Sequence, residues 1–151
     1  MKIAASLATL AAAVTLANPA WAQFAKPEDA VKYRQGALFV MAQHFGRIGA
    51  MANGRVPYDA KAAVENAEIV AEMARLPWAG FGPGTDKVTP SRAKAEIWTE
   101  QAKFKEHNEK LVGETGKLLA AAKTNSLDNL KVAFSSTANT CKGCHDAFRK
   151  D

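Results

Sequence analysis

Five residues near the C-terminus hold the densest chemistry in the chain: Cys141, Lys142, Gly143, Cys144 and His145. Two thiols with two residues between them, followed at once by an imidazole, make a C-x-x-C-H sequence, the attachment signature of a c-type haem. Each part has a job. The thiols add across the two porphyrin vinyl groups and become thioethers, the intervening residues set the sulfur spacing, and the adjacent imidazole reaches iron from one face. A bare C-x-x-C also serves as a redox dithiol or as half of a zinc site. Zinc needs two further ligands, and the chain has only these two cysteines. A thioredoxin-like dithiol accompanies a βαβ pattern, which is absent. A strained disulfide between Cys141 and Cys144 is the remaining alternative.

The other end of the chain suits that chemistry. Met1-Lys2 is a positive start, Ile3 to Leu16 is almost wholly apolar, and Ala20-Trp21-Ala22 is an A-x-A cleavage site. This is the pattern of a secretory signal peptide, with an apolar core short for a membrane span. Residues 1–22 are expected to be removed, leaving a single domain over 23–151 that begins at Gln23. Covalent haem attachment in bacteria takes place outside the cytoplasm, so the expected address is the periplasm. No second apolar stretch follows, and no membrane insertion is expected after cleavage.

The formal charge is +5, and Lys2 is the only charged side chain in 1–22, so the mature chain carries about +4. The excess is spread along the sequence with no basic run of the kind that marks a nucleic-acid site. It suits either docking to an acidic redox partner or ordinary solubility.

The elements that must position the five residues are helical. No strand-period alternation of useful length occurs. Four stretches with helical spacing do, over about Pro27 to Met51, Asp59 to Leu76, Ser91 to Lys123 and Ser126 to Lys150. In the first, Arg34, Leu38, Met41, Phe45 and Ile48 share a face. In the third, Ile97, Phe104, Leu111 and Leu118 recur every seven residues as a bundle seam. In the fourth, Cys141, Cys144 and His145 fall on the inward stripe with Leu130, Phe134 and Phe148. Trp78 to Pro90, rich in glycine and proline, reads as an ordered loop. The fold class is all-α: an antiparallel up-down-up-down four-helix bundle enclosing one haem, with helices about 30–45 Å long.

A C-x-x-C-H close to the C-terminus of an exported bundle resembles the class II c-type cytochromes, and within them cytochrome c′. The resemblance spans the mature chain. It rests on Gln23 to Ala30, Tyr33-Arg34-Gln35, His44-Phe45-Gly46-Arg47, Leu76-Pro77-Trp78, Phe81 to Thr85, Glu96-Ile97-Trp98, and Cys141 to His145 with Arg149. It implies one haem c, covalent through Cys141 and Cys144, with His145 the only protein ligand to iron. Arg34 and Gln35 match residues near a haem propionate, Leu38 the apolar side chain over the open face, and Arg149 the basic residue beside the proximal imidazole. Asp86 to Ala95 is longer than in the family pattern, so no role is carried onto it. Homodimers are usual in the family, with the first two helices in contact.

The sixth position on iron divides the readings. Leu38 cannot ligate and would only exclude, leaving five-coordinate, high-spin iron open to small gases. The family is associated with nitric oxide; carbon monoxide should bind more weakly because the lid must move, and an apolar lid disfavours dioxygen. Electron transfer is the general class description. Met41, three residues on, is a core methionine in this reading; as a sixth ligand it would make a low-spin electron shuttle instead. A peroxidase-like enzyme needs a distal acid–base group, which Leu38 does not supply, so the protein is expected not to be an enzyme. His44 and His107 are expected to be solvated. Trp78, Phe81 and Phe104 suit either the haem pocket or the core.

Overall fold

A computed structural model describes residues 23–150; the expected leader, 1–22, lies outside the described residues. Helix α1 spans Pro27–Ala52, α2 Ala60–Met73, a 3₁₀ turn Pro77–Phe81, α3 Glu96–Thr99, α4 Gln101–Ala122 and α5 Leu127–Phe148. The only extended pairing among the described residues is an isolated antiparallel bridge between Ala93 and Arg149. The expected four-helix bundle is therefore present, built from α1, α2, α4 and α5.

Local chemistry sets the ends of these helices. Pro27 opens α1 at a position needing no N–H, and Glu28 and Asp29 sit against the positive end of its dipole. The helix closes in a Schellman motif. Arg55 N donates to Ala50 O at 2.8 Å and Gly54 N to Met51 O at 3.1 Å, with Gly54 at φ +68, where a side chain would be strained. Asp59 caps α2 by accepting from Ala62 N at 3.0 Å, and Ser126 caps α5 by accepting from Asn129 N at 3.3 Å.

The third stretch differs from the expectation of one helix from Ser91. Residues 91–95 are not helical, α3 is a single turn, and Glu100 breaks the run at φ −112, ψ 48. The cause lies at the other end of the chain. Lys94 N donates to Phe148 O at 2.9 Å and Lys150 N to Arg92 O at 2.8 Å. The C-terminus thus takes backbone groups that a helix would have used. The seam survives: Ile97, Leu111 and Leu118 are buried and Phe104 half-buried.

The core fills the end of the bundle away from the C-x-x-C-H sequence. Ile48, Leu118 and Leu130 are fully buried there, with Ala63, Ala67 and Ala122 letting helices approach closely. Truncating any of the large ones should cost about 2–5 kcal/mol. Helices α1 and α5 meet in this half. Phe45 stacks on Phe134 with centroids 4.6 Å apart, and a Cβ on Gly49 would lie 2.7 Å from Phe134 Cζ, so any larger residue there would have to displace the ring. Towards the N-terminus of α1 and the C-terminus of α5 a cavity lies between them.

Candidate haem site

The cavity has a volume of about 880 Å³, the scale of a site for a bound organic group. Its walls are mostly hydrocarbon. Leu38, Met41 and Phe45 come from α1, Val70 from α2, Trp78 and Phe81 from the 3₁₀ turn, Phe104 and Leu111 from α4. Cys141, Cys144 and His145 line it from α5, as their helical spacing predicts. Trp78, Phe81 and Phe104 do both jobs foreseen for them. They face the cavity and also pack on one another, Phe81 on Phe104 at 5.0 Å and Trp78 on Phe104 at 5.6 Å.

Both cysteines are free and half-buried. Burial pushes the Cys141 thiol up, and burial with Cys141 alongside pushes Cys144 up to about 11. Redox dithiols need the opposite, a stabilised thiolate, so the environment argues against that alternative. Zinc fares no better: no group of three or more His, Cys, Asp or Glu able to hold a metal ion occurs among the described residues. An imidazole that follows two thiols on one helix face fits a porphyrin, which brings its own four nitrogens.

His145 is open to the cavity, yet burial around its ring is the main cause lowering its pKa. The Arg149 and Arg92 charges add to this and Asp146 opposes them. All but the last favour neutral imidazole, the form that ligates metals. Arg149 Nη1 lies 3.5 Å from His145 Nδ1.

Arg34 neither snorkels to the surface nor meets a carboxylate. It is 2% exposed, and Nη1 donates to Gly80 O at 2.8 Å and Thr85 Oγ1 at 3.1 Å, Nη2 to Ser91 Oγ at 3.1 Å. Its guanidinium carbon stands 4.3 Å from the Phe81 ring centroid and 5.6 Å from that of Trp98. Burial lowers its pKa, but a guanidinium stays charged. A buried cation on the cavity wall, with no ion pair among the described residues, suits an anionic group in the cavity. Gln35 is exposed and donates to Pro90 O at 3.0 Å, so both residues hold the 80–91 segment. The donor set, the hydrocarbon walls and this unmatched charge fit a haem.

Two histidines depart from expectation. His44 is half-buried and pairs through Nδ1 with Asn66 Oδ1 at 2.8 Å, tying α1 to α2. His107 lines the cavity, edge-on to Phe148 with centroids 5.6 Å apart. It lies one helical step from both Phe104 and Leu111; the charged neighbours Lys105, Glu106 and Glu109 masked that register. Ser91 and Arg92 also line the cavity, positions no periodicity marks because the strap they belong to is irregular.

Four antiparallel helices around one cavity, with a C-x-x-C-H face on the last helix, define a bundle-type cytochrome of class II. Comparison narrows this. The family model for cytochrome c′ matches residues 29–149, and the chain belongs to the cytochrome c′ family. It is 46% identical over 128 residues to cytochrome c′ of Rubrivivax gelatinosus, covering 85% of this chain and 99% of that one. It is 48% identical over 128 residues to that of Alcaligenes xylosoxydans xylosoxydans, covering 85% and 98%. The crystal structure of the Rubrivivax protein superposes with a TM-score of 0.82, covering 85% of this chain and 100% of that chain at 46% identity. A nitric oxide complex of a leucine-to-alanine mutant of the Alcaligenes xylosoxidans protein superposes at 0.79, again at 46% identity and covering 85% and 99%.

Proposed function

We propose that this chain is a periplasmic c-type haem protein whose iron is five-coordinate and high-spin, and that it binds nitric oxide and carbon monoxide and takes part in electron transfer. One haem c is held covalently through Cys141 and Cys144, with His145 the only protein ligand. A haem so held supplies an iron that can bind a small gas or exchange one electron.

The observation that carries this reading is the make-up of one cavity. The C-x-x-C-H face shares it with an α1 wall of Leu38, Met41 and Phe45, while the one histidine of α1 is turned away onto Asn66. Leu38 excludes water and larger ligands from that wall and offers no hydrogen bond. Arg34 and Gln35 serve the propionate end, and Arg149 steadies the charge state of His145. Nitric oxide complexes of an Alcaligenes relative support the choice of gas.

A second reading keeps Met41 as sixth ligand in a low-spin shuttle, because Met41 also lines the cavity. Its 8% exposure and its packing in the core cluster favour a structural role. An optical spectrum decides. A methionine sulfur–iron band near the red end establishes the shuttle; its absence, with a broad or split Soret band, establishes the open site.

Residues 1–22 are proposed as a cleaved export signal. A homodimer through α1 and α2 is proposed from the family, supported by the exposed side chains of Val40 and Val56 on α1 and the loop that follows. Among the described residues no helix is long and apolar enough to cross a membrane.

A further inference from the structure

The positive charge that is spread along the sequence is gathered in space. With Lys2 and Asp151 set aside, residues 23–150 hold nineteen Lys and Arg against fourteen Asp and Glu. Arg92, Lys142 and Arg149 line the cavity, with Asp146 the only carboxylate on its walls. Lys94 Nζ donates to Asp146 O at 2.9 Å, Lys150 N donates to Arg92 O at 2.8 Å, and Arg92 Nε donates back to Lys150 O at 3.0 Å. Among the described residues, five cations, three on the cavity wall and two bonded to residues of that wall, thus gather at this end, with one carboxylate on the wall itself, which Lys142 already pairs. Together with Arg34 inside, they account for the whole excess of residues 23–150. The rest of the described chain is balanced. Even with both propionates of a bound haem ionised, cations at this end outnumber carboxylates.

We infer that this rim is a docking surface for an acidic protein. A surplus confined to one end steers an oppositely charged partner and orients it on approach. The orientation is the useful one, since it brings the partner to the opening between α1 and α5. A protein suits the rim better than a bilayer does. Of the exposed large apolar side chains among the described residues, only Phe39 lies on the cavity, and surface insertion needs a broader apolar face. Pairs of redox proteins dock weakly over small, polar areas. The purpose of docking rests on the electron-transfer reading; the docking itself does not, and binding alone reads it.

The test uses the haem-loaded protein and labelled poly-L-glutamate at low salt, followed by anisotropy. Reversing Lys94→Glu with Lys150→Glu should weaken binding roughly tenfold or more, whereas Lys61→Glu with Lys123→Glu, at the far end and with the same change in net charge, should weaken it less than about twofold. Circular dichroism checks folding, and Lys94→Gln with Lys150→Gln is read in the same way if the reversal disrupts it. Equal loss in both pairs overturns the inference, because net charge alone then suffices. No binding by the unaltered protein also overturns it. So does binding to phosphatidylglycerol–phosphatidylcholine vesicles without binding to poly-L-glutamate, which would make the surface a membrane site.

Discussion

Arg149 Nη1 stands 3.5 Å from His145 Nδ1, one turn further along the chain. Arginine can only donate, so this pairing needs a lone pair on Nδ1 and leaves the proton on Nε2. Ligation of a metal through Nε2 needs the reverse tautomer, with Nδ1 protonated. Arg149 therefore acts on His145 chiefly as a charge. It disfavours imidazolium and must yield the Nδ1 contact when Nε2 ligates.

Before haem attachment, His145 should titrate below its ordinary 6.5, because burial first and then Arg149 and Arg92 lower it. Arg149→Ala should move the titration upward, and Arg149→Lys should leave it nearly unchanged. Histidine proton NMR against pH checks this. For linkage the sign is definite. A depressed histidine pKa means the folded state binds fewer protons, so its contribution to stability is present at neutral pH and lost as pH falls.

Leu38→Ala should raise the carbon monoxide association rate by about ten- to a hundredfold if Leu38 crowds the binding side, a barrier change of about 1.4–2.7 kcal/mol. Flash photolysis measures it, and an unchanged rate sinks the lid. Leu38 is only half-buried, so the stability cost should fall below the 2–5 kcal/mol or so of a fully buried leucine.

Met41→Leu separates core from ligand. As a core residue, Met41 should tolerate a side chain of similar volume for less than about 1.5 kcal/mol, with no change in the optical spectrum. A shift in the spectrum would mark Met41 as the sixth ligand.

Arg34 organises the 80–91 segment through Gly80 O, Thr85 Oγ1 and Ser91 Oγ. Arg34→Met should destabilise the protein by about 2–4 kcal/mol, since charge-assisted bonds are lost and buried acceptors are left bare. Lysine should not rescue it, because one ammonium cannot span those acceptors. Denaturant unfolding gives the loss, and faster amide exchange over 80–91 gives its place. The neighbouring Gly80→Ala should fail in a related way, its Cβ meeting Ala30 O at 2.5 Å and Arg34 Cβ at 2.8 Å.

Glu114 joins α4 to α5 by accepting from Ser136 Oγ at 2.6 Å, and it pairs with Lys117. Hydrogen bonds from Lys117 first and then Ser136 hold its carboxyl below the usual range. The stability it contributes is therefore present above its ordinary pKa of 4.5 and lost as acid carries pH through the lowered one. Glu114→Gln should be less stable than the parent at pH 7, with the gap closing in acid, as thermal unfolding at both pH values would record.

The C-x-x-C-H site was legible because its chemistry is local. Three side chains on consecutive steps of one helix share a face wherever that helix packs. Helix number, most helix ends and the Ile97–Leu118 seam were legible for the same reason, since caps and apolar period act over one or two turns. Contacts between segments distant in the sequence were decided only by the fold. The bridge from Ala93 to Arg149 shortened the third helix and drew Arg92 and Lys94 to the cavity mouth. Packing of α4 on α5 placed His107 on the cavity wall despite its charged neighbours. Arg34 found carbonyls and hydroxyls about fifty residues away. Linear spacing encodes which face a residue shares; it does not encode which backbone groups another segment will claim, and that competition was settled only when the helices packed.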